Sequence, residues 1–101
     1  MKRFKVYTKE KGIVETEYIN DIIKLTWHRE DGPAYIDYFN NGTIEHEGYY
    51  VKDTKHRLDG PAIIGYNANG DIKYEEYYIE GNEYTKKQYY RELLKLKLQS
   101  L

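Results

Sequence analysis

Short runs of β-forming residues, broken by glycine and asparagine, fill most of this chain, and a helical period appears only near its C-terminus. Arg3-Phe4-Lys5-Val6 alternates polar and apolar, as a half-buried strand does. Gly12-Ile13-Val14-Glu15-Thr16-Glu17 follows, so residues 1–18 predict a first hairpin. Ala34-Tyr35-Ile36-Asp37-Tyr38-Phe39 predicts a strand, Asn41-Gly42 a hairpin turn, and residues 43–51 the returning strand. From about residue 86 to residue 99 the period lengthens. Tyr90, Leu94, Leu98 and Leu101 fall on one stripe, with Tyr89, Leu93 and Leu96 alongside. Thr85 followed by Gln88 fits a capping box at the start of that helix.

The hairpin pattern occurs twice in close copy. His28-Arg29-Glu30-Asp31-Gly32-Pro33-Ala34 returns as His56-Arg57-Leu58-Asp59-Gly60-Pro61-Ala62. Ile36 recurs as Ile64, Tyr38 as Tyr66, Asn41-Gly42 as Asn69-Gly70, Ile44 as Ile72, Glu47 as Glu75, and Tyr49-Tyr50 as Tyr77-Tyr78. An ungapped spacing of about 28 residues is the signature of stacked supersecondary units. Residues 1–27 then form a degenerate first hairpin and connector, 28–55 and 56–84 the two full copies, and 85–101 the helix. In the connector, Ile22, Ile23, Leu25 and Trp27 predict a segment pinned to the core. Lys52-Asp53-Thr54-Lys55 reads as a plain polar turn.

Register follows from which faces the side chains share. A two-residue loop would put Ile36 on one face with Glu45 and Glu47. A three-residue loop, Asn40-Asn41-Gly42 with glycine left-handed, shifts the pairing by one and separates the faces more cleanly. The longer loop is therefore expected. It gives one face of Ala34, Ile36, Tyr38, Ile44, His46, Gly48 and Tyr50, and another of Tyr35, Asp37, Thr43, Glu45, Glu47 and Tyr49. In the second copy, Ala62, Ile64, Tyr66, Ile72, Tyr74 and Tyr78 oppose Asp71, Lys73, Glu75 and Tyr77, and Glu76 is the exception. The expected architecture is a single mainly β (α+β) domain: a twisted antiparallel sheet of about six strands in stacked hairpins, its apolar face covered by one C-terminal helix.

Composition narrows the function classes. The chain of 101 residues has no cysteine, which removes disulfides and thiolate metal sites and suits a cytoplasmic location. It contains no apolar run of membrane-spanning length and no signal-peptide core, so no membrane is expected. A formal net charge of −1 argues against a general nucleic-acid binder. Thirteen tyrosines suit strands and binding faces alike.

The His-Arg-x-Asp-Gly-Pro-Ala unit, with Tyr-x-x-Asn-Gly and Glu-x-Tyr-Tyr-Ile-x-Gly, resembles repeat proteins of bacteriophages and large DNA viruses. These are loosely similar to MORN-repeat variants, whose hairpins stack into a long antiparallel sheet. The resemblance covers residues 27 to about 90, and the passage from Gly81 to Tyr89 is similar to the closing segment where sheet gives way to helix. It implies that fold, a viral origin with the host cytoplasm as location, and no catalytic residues.

The chemistry-bearing residues read chiefly as structural. His28, Arg29, Asp31, Gly32 and Pro33, with their copies His56, Arg57, Asp59, Gly60 and Pro61, are expected to tie turns, because a catalytic site is normally assembled once from different elements. No catalytic residue, metal site or cofactor is expected. Stacking would line up Glu15, Glu17, Glu45, Glu47 and Glu75, crossed by Tyr35, Tyr49 and Tyr77. Of these, Tyr35, Glu45, Glu47, Tyr49, Glu75 and Tyr77 are the candidate surface for a basic protein partner. The expected function is thus a non-enzymatic interaction protein, and the resemblance implies that it is phage-encoded and inhibits a host defence protein. The alternative is an assembly module that forms homo-oligomers through a sheet edge or through Leu93, Leu96 and Leu101. A third reading is a nucleic-acid contact by the helix stripe Lys87, Arg91 and Lys95.

Overall fold

The computed structural model describes residues 3–9, 12–17 and 26–100, without the side chains of 3 and 14–17. Most of the connector, Leu101 and the side chains of Glu15 and Glu17 therefore lie outside the described residues.

The chain is mainly β. The strands are β1 (Arg3–Thr8), β2 (Gly12–Glu17), β3 (Tyr35–Tyr38), β4 (Ile44–Gly48), β5 (Tyr50–Val51), β6 (Thr54–Lys55), β7 (Ile63–Tyr66), β8 (Ile72–Ile79) and β9 (Asn82–Tyr84), followed by α1 (Lys86–Gln99). One seven-stranded sheet runs β2-β1-β3-β4-β7-β8-β9, antiparallel throughout, and β5-β6 form a second small sheet. The principal extents, 46 × 33 × 20 Å, leave room for one sheet and a covering layer.

The strand count exceeds the expected six because residues 52–55 are not a plain turn and residues 82–84 add a strand to the main sheet. Lys52 and Asp53 adopt φ of 50° and 65° and form the tip of the β5-β6 hairpin. Their counterparts Glu80 and Gly81, with φ of 48° and 81°, turn β8 into β9. Two consecutive left-handed residues give the turn whose twist matches that of paired strands.

Each long hairpin closes on a three-residue loop. Phe39 N–H donates to Thr43 O (2.8 Å) and Gly42 N–H to Phe39 O (2.9 Å), with Gly42 at φ 89°. Asn67, Asp71 and Gly70 repeat the same bonds. The expected faces nevertheless do not hold along the return strand. Tyr38 pairs with Ile44, but Asp37 pairs with His46, so Glu45 is an extra residue, a β-bulge. The second copy does the same: Tyr66 pairs with Ile72 and Gly65 with Tyr74, leaving Lys73 extra. One extra residue exchanges the faces of everything after it.

The register consequently places Phe4, Val6, Tyr35, Asp37, His46, Gly48, Ile63, Gly65, Tyr74 and Glu76 on one face, the first face. The second face carries Tyr7, Ile36, Tyr38, Ile44, Glu47, Ile64, Tyr66, Glu75 and Tyr77. Glu76, the misfit of the expected pattern, sits away from Ile64. Gly65 is required on the first face: a Cβ there would lie 2.2 Å from the Tyr74 ring, which covers the glycine from the adjacent strand.

Both faces are covered, each by different parts of the chain. Over the first face, Trp27 packs on Tyr35 and Tyr50 at centroid distances of 5.2 and 4.7 Å. On the second, α1 seats Tyr89 and Leu93 against Tyr77 and Ile79, with Tyr84 beside them. The helix begins with the capping box that its sequence predicts: Gln88 N–H donates to Thr85 Oγ1, and Thr85 N–H to Gln88 Oε1. Tyr89 is fully buried, and its hydroxyl donates to Arg57 O while Gly60 N–H donates to it. Tyr89→Phe is expected to cost about 1–3 kcal/mol, because it leaves an amide and a carbonyl without their partner. Thermal unfolding by circular dichroism should show a melting temperature lower by about 4–8 °C per kcal/mol; an unchanged value would rule out this anchor.

Candidate functional site

Each heptad builds the same bonded turn. Arg29 Nε donates to Asp31 Oδ1 (2.8 Å) and Nη1 to Pro33 O (3.3 Å). Arg57 repeats this with Asp59 (2.9 Å) and Pro61 O (3.0 Å). The guanidinium carbons lie over tyrosines of the second face, 3.8 Å from the Tyr7 and Tyr49 ring centroids. A Cβ at Gly32 would meet Arg29 Cζ at 2.8 Å, and one at Gly60 would meet Arg57 Cζ at 3.0 Å, so glycine makes room for the arginine. The histidines reach forward: Lys52 N–H donates to His28 Nδ1 (2.8 Å) and Glu80 N–H to His56 Nδ1 (2.9 Å). Each imidazole thereby caps the left-handed turn of its own unit, accepting through Nδ1 as a neutral ring does. Ala34 and Ala62 are fully buried, which leaves space for nothing larger. The Arg29 guanidinium bonded to it holds the Asp31 carboxyl below the usual carboxylate range.

Between the two heptads lies a cleft of about 600 Å³, walled by Arg29 and Gly32 on one side and by Tyr49, His56, Arg57 and Leu58 on the other. Glu30, Asp31 and Asp59 also line it.

The six residues of the candidate acidic surface divide between the two faces: Tyr35 and Glu45 lie beside Asp37 on the first, and Glu47, Tyr49, Glu75 and Tyr77 share the second. Tyr77 is 5% exposed and sits under α1. Glu47 accepts a hydrogen bond from the Tyr66 hydroxyl, and Tyr49 is covered by Arg57. The bulge is the reason, since it sends Glu47 and Glu75 to the opposite side from Tyr35.

The same bulge assembles a polar cluster that sequence reading missed. Glu45 and His46 both stand opposite Asp37, which is only 3% exposed. His46 Nδ1 lies 2.9 Å from Asp37 Oδ1 and 4.0 Å from Glu45 Oε2, and the Tyr35 hydroxyl donates to Asp37 Oδ2 (3.0 Å). Among the described residues these three are the side chains whose donor atoms, all within 4.8 Å of one another, could approach a metal ion. In the second copy Gly65, Lys73 and Tyr74 take their places, so the bulge does not depend on the cluster.

On α1 the buried stripe is Tyr89 and Leu93, while Tyr90, Leu94 and Leu98 are 49%, 58% and 61% exposed. Leu93, expected in a dimer contact, is in the core. Lys87, Arg91 and Lys95 are exposed, and Lys95 pairs with Glu92 at 3.8 Å. Among the described residues no helix is long and apolar enough to cross a membrane. Compared with protein-family models, curated proteins and solved structures, the chain matches none.

Burial raises the phenols of Tyr35, Tyr49, Tyr50, Tyr66, Tyr77 and Tyr89 above their ordinary value. The folded state thus favours neutral phenol. Its stabilising effect is complete below the unfolded pKa of about 10 and is lost as pH rises beyond it. Urea midpoints should fall steadily above that pH, and the share of tyrosinate absorbance that these six of the thirteen phenols contribute should appear only with unfolding. Ionisation of all thirteen phenols at the ordinary pH in a still-folded protein would contradict this.

Proposed function

We propose that this protein is a non-enzymatic protein-interaction module that docks an acidic protein surface on the outer flank of α1. The observation that carries the reading is the exposed stripe of Tyr90, Leu94 and Leu98, accompanied by the cations Lys87, Arg91 and Lys95. An apolar stripe left in solvent while its neighbours Tyr89 and Leu93 are seated suits a partner contact. Cations beside apolar anchors steer an acidic partner and add little affinity themselves. The functional groups of the heptads are engaged in turn bonds, which supports a non-enzymatic role. The heptad's resemblance to viral repeat proteins extends the proposal to a host partner, with inhibition of a defence factor as the consequence.

The same stripe favours a second reading, self-association through α1. Capture from host lysate with nuclease present, read beside light scattering, separates the two. A stoichiometric acidic partner is expected, lost on charge reversal of Lys87, Arg91 and Lys95 and on Leu94→Ser with Leu98→Ser, with the circular dichroism spectrum unchanged. A mass above monomer that these serine variants abolish would replace this reading with the assembly module. Retention of the partner by both sets of variants would overturn it.

A further inference from the structure

The two copies agree on one face of the sheet and differ on the other. In β3 and β4 the second-face residues Ile36, Tyr38, Ile44 and Glu47 recur unchanged as Ile64, Tyr66, Ile72 and Glu75. The first-face residues all change: Tyr35, Asp37, Glu45, His46 and Gly48 become Ile63, Gly65, Lys73, Tyr74 and Glu76. The second face therefore carries what the stack requires of every unit, and the first face carries what is particular to one. Particular to the first copy is a set of polar side chains that the bulge turns toward one another. Two residues of the bulged strand, Glu45 and His46, stand opposite Asp37 alone. Turn-forming groups occur in both copies of this chain, whereas this constellation is assembled once and from two strands, as a functional site is.

We propose that Asp37, Glu45 and His46 bind a divalent transition-metal ion of the zinc class, through the two carboxylates and His46 Nδ1. Nδ1 lies 2.9 Å from Asp37 Oδ1 and 4.0 Å from Glu45 Oε2, and the three donors all lie within 4.8 Å of one another. Donors held about 2.0–2.2 Å from a tetrahedral zinc stand about 3.4 Å apart, so the observed separations need only small side-chain adjustments. Asp37 is buried, while Glu45 and His46 are half-buried, which gives the site a buried floor and a rim that an ion reaches from solvent. The Tyr35 hydroxyl, 3.0 Å from Asp37 Oδ2, orients the carboxylate as outer partners of metal ligands do. The imidazole selects zinc over magnesium and calcium, which take oxygen donors. It binds in its neutral form, with the proton on Nε2 and the Nδ1 lone pair on the ion. The ion joins β3 to β4 across the bulge, and three protein donors leave a further position on it for water. This site is on the opposite face from α1 and does not rest on the docking reading.

The test is calorimetric titration of zinc chloride into the chelator-treated full chain at neutral pH, with the histidine ring resonances followed in parallel. A single equivalent of zinc is expected, shifting the His46 ring before those of His28 and His56. Glu45→Lys, and Asp37→Gly combined with His46→Tyr, follow the residues that the second copy carries in the same frame, so both variants are expected to fold. Each should weaken zinc by more than about a hundredfold, and Tyr35→Phe by about tenfold. Glu45→Gln, which keeps the shape and removes the charge, gives the same reading without a new cation. Glu30→Gln, beside the Nε2 of His28, should leave zinc binding unchanged. Absence of zinc binding, binding that survives the Asp37 and Glu45 variants, or binding abolished by Glu30→Gln would each overturn the proposal.

Discussion

A guanidinium placed over a tyrosine ring holds each heptad down on the sheet. The planar group has a face for the ring and a fork of donors for everything else. In both copies one nitrogen takes the aspartate two residues on, and another takes the proline carbonyl four residues on. The requirements of the intervening residues follow from that geometry. Glycine must leave room beneath the arginine, proline gives up an N–H that has no ladder to join, and alanine fits a fully buried position. A lysine, with a compact charge and no planar fork, could not make this set of contacts.

The β-bulge decides how the sheet presents its side chains. Without the extra residue at Glu45 and Lys73, each return strand would carry its glutamates away from the isoleucines. With it, Glu47 pairs with Ile36 and Ile64, and His46 swings to Asp37. Neither face is then purely apolar, and each is covered by a separate layer: Trp27 with Tyr50 on one, α1 on the other. A thin sheet with two partial covers leaves some apolar surface in solvent, and α1 carries much of it.

The helix also closes the series of tyrosine stacks. Tyr7 and Tyr49 are each covered by an arginine, and Tyr77 is covered by Tyr89. An aromatic ring thus stands where a further heptad would have placed its guanidinium, and its hydroxyl is tied to the last heptad present.

Contacts between near neighbours along the chain set the local elements. Turn chemistry at Asn-Gly, the capping box at Thr85 and Gln88, and the helical spacing from residue 86 are interactions between near neighbours, and the helix limits and three-residue loops follow from them. The heptad's repetition marked its residues as turn-forming, but their partners, Tyr7 and Tyr49 for the arginines and two left-handed turns for the histidines, came from strands brought together in space. Only the tertiary structure decided the bulge, because one inserted residue changes little locally and its effect is felt in which face each later side chain occupies. For that reason the acidic surface read from the spacing divides between the two faces, the Asp37–Glu45–His46 cluster forms, and the seated stripe of α1 is Tyr89 and Leu93. An amphipathic helix with two adjacent apolar rows can seat either, and the position of Tyr77 and the bond to the second heptad select the row.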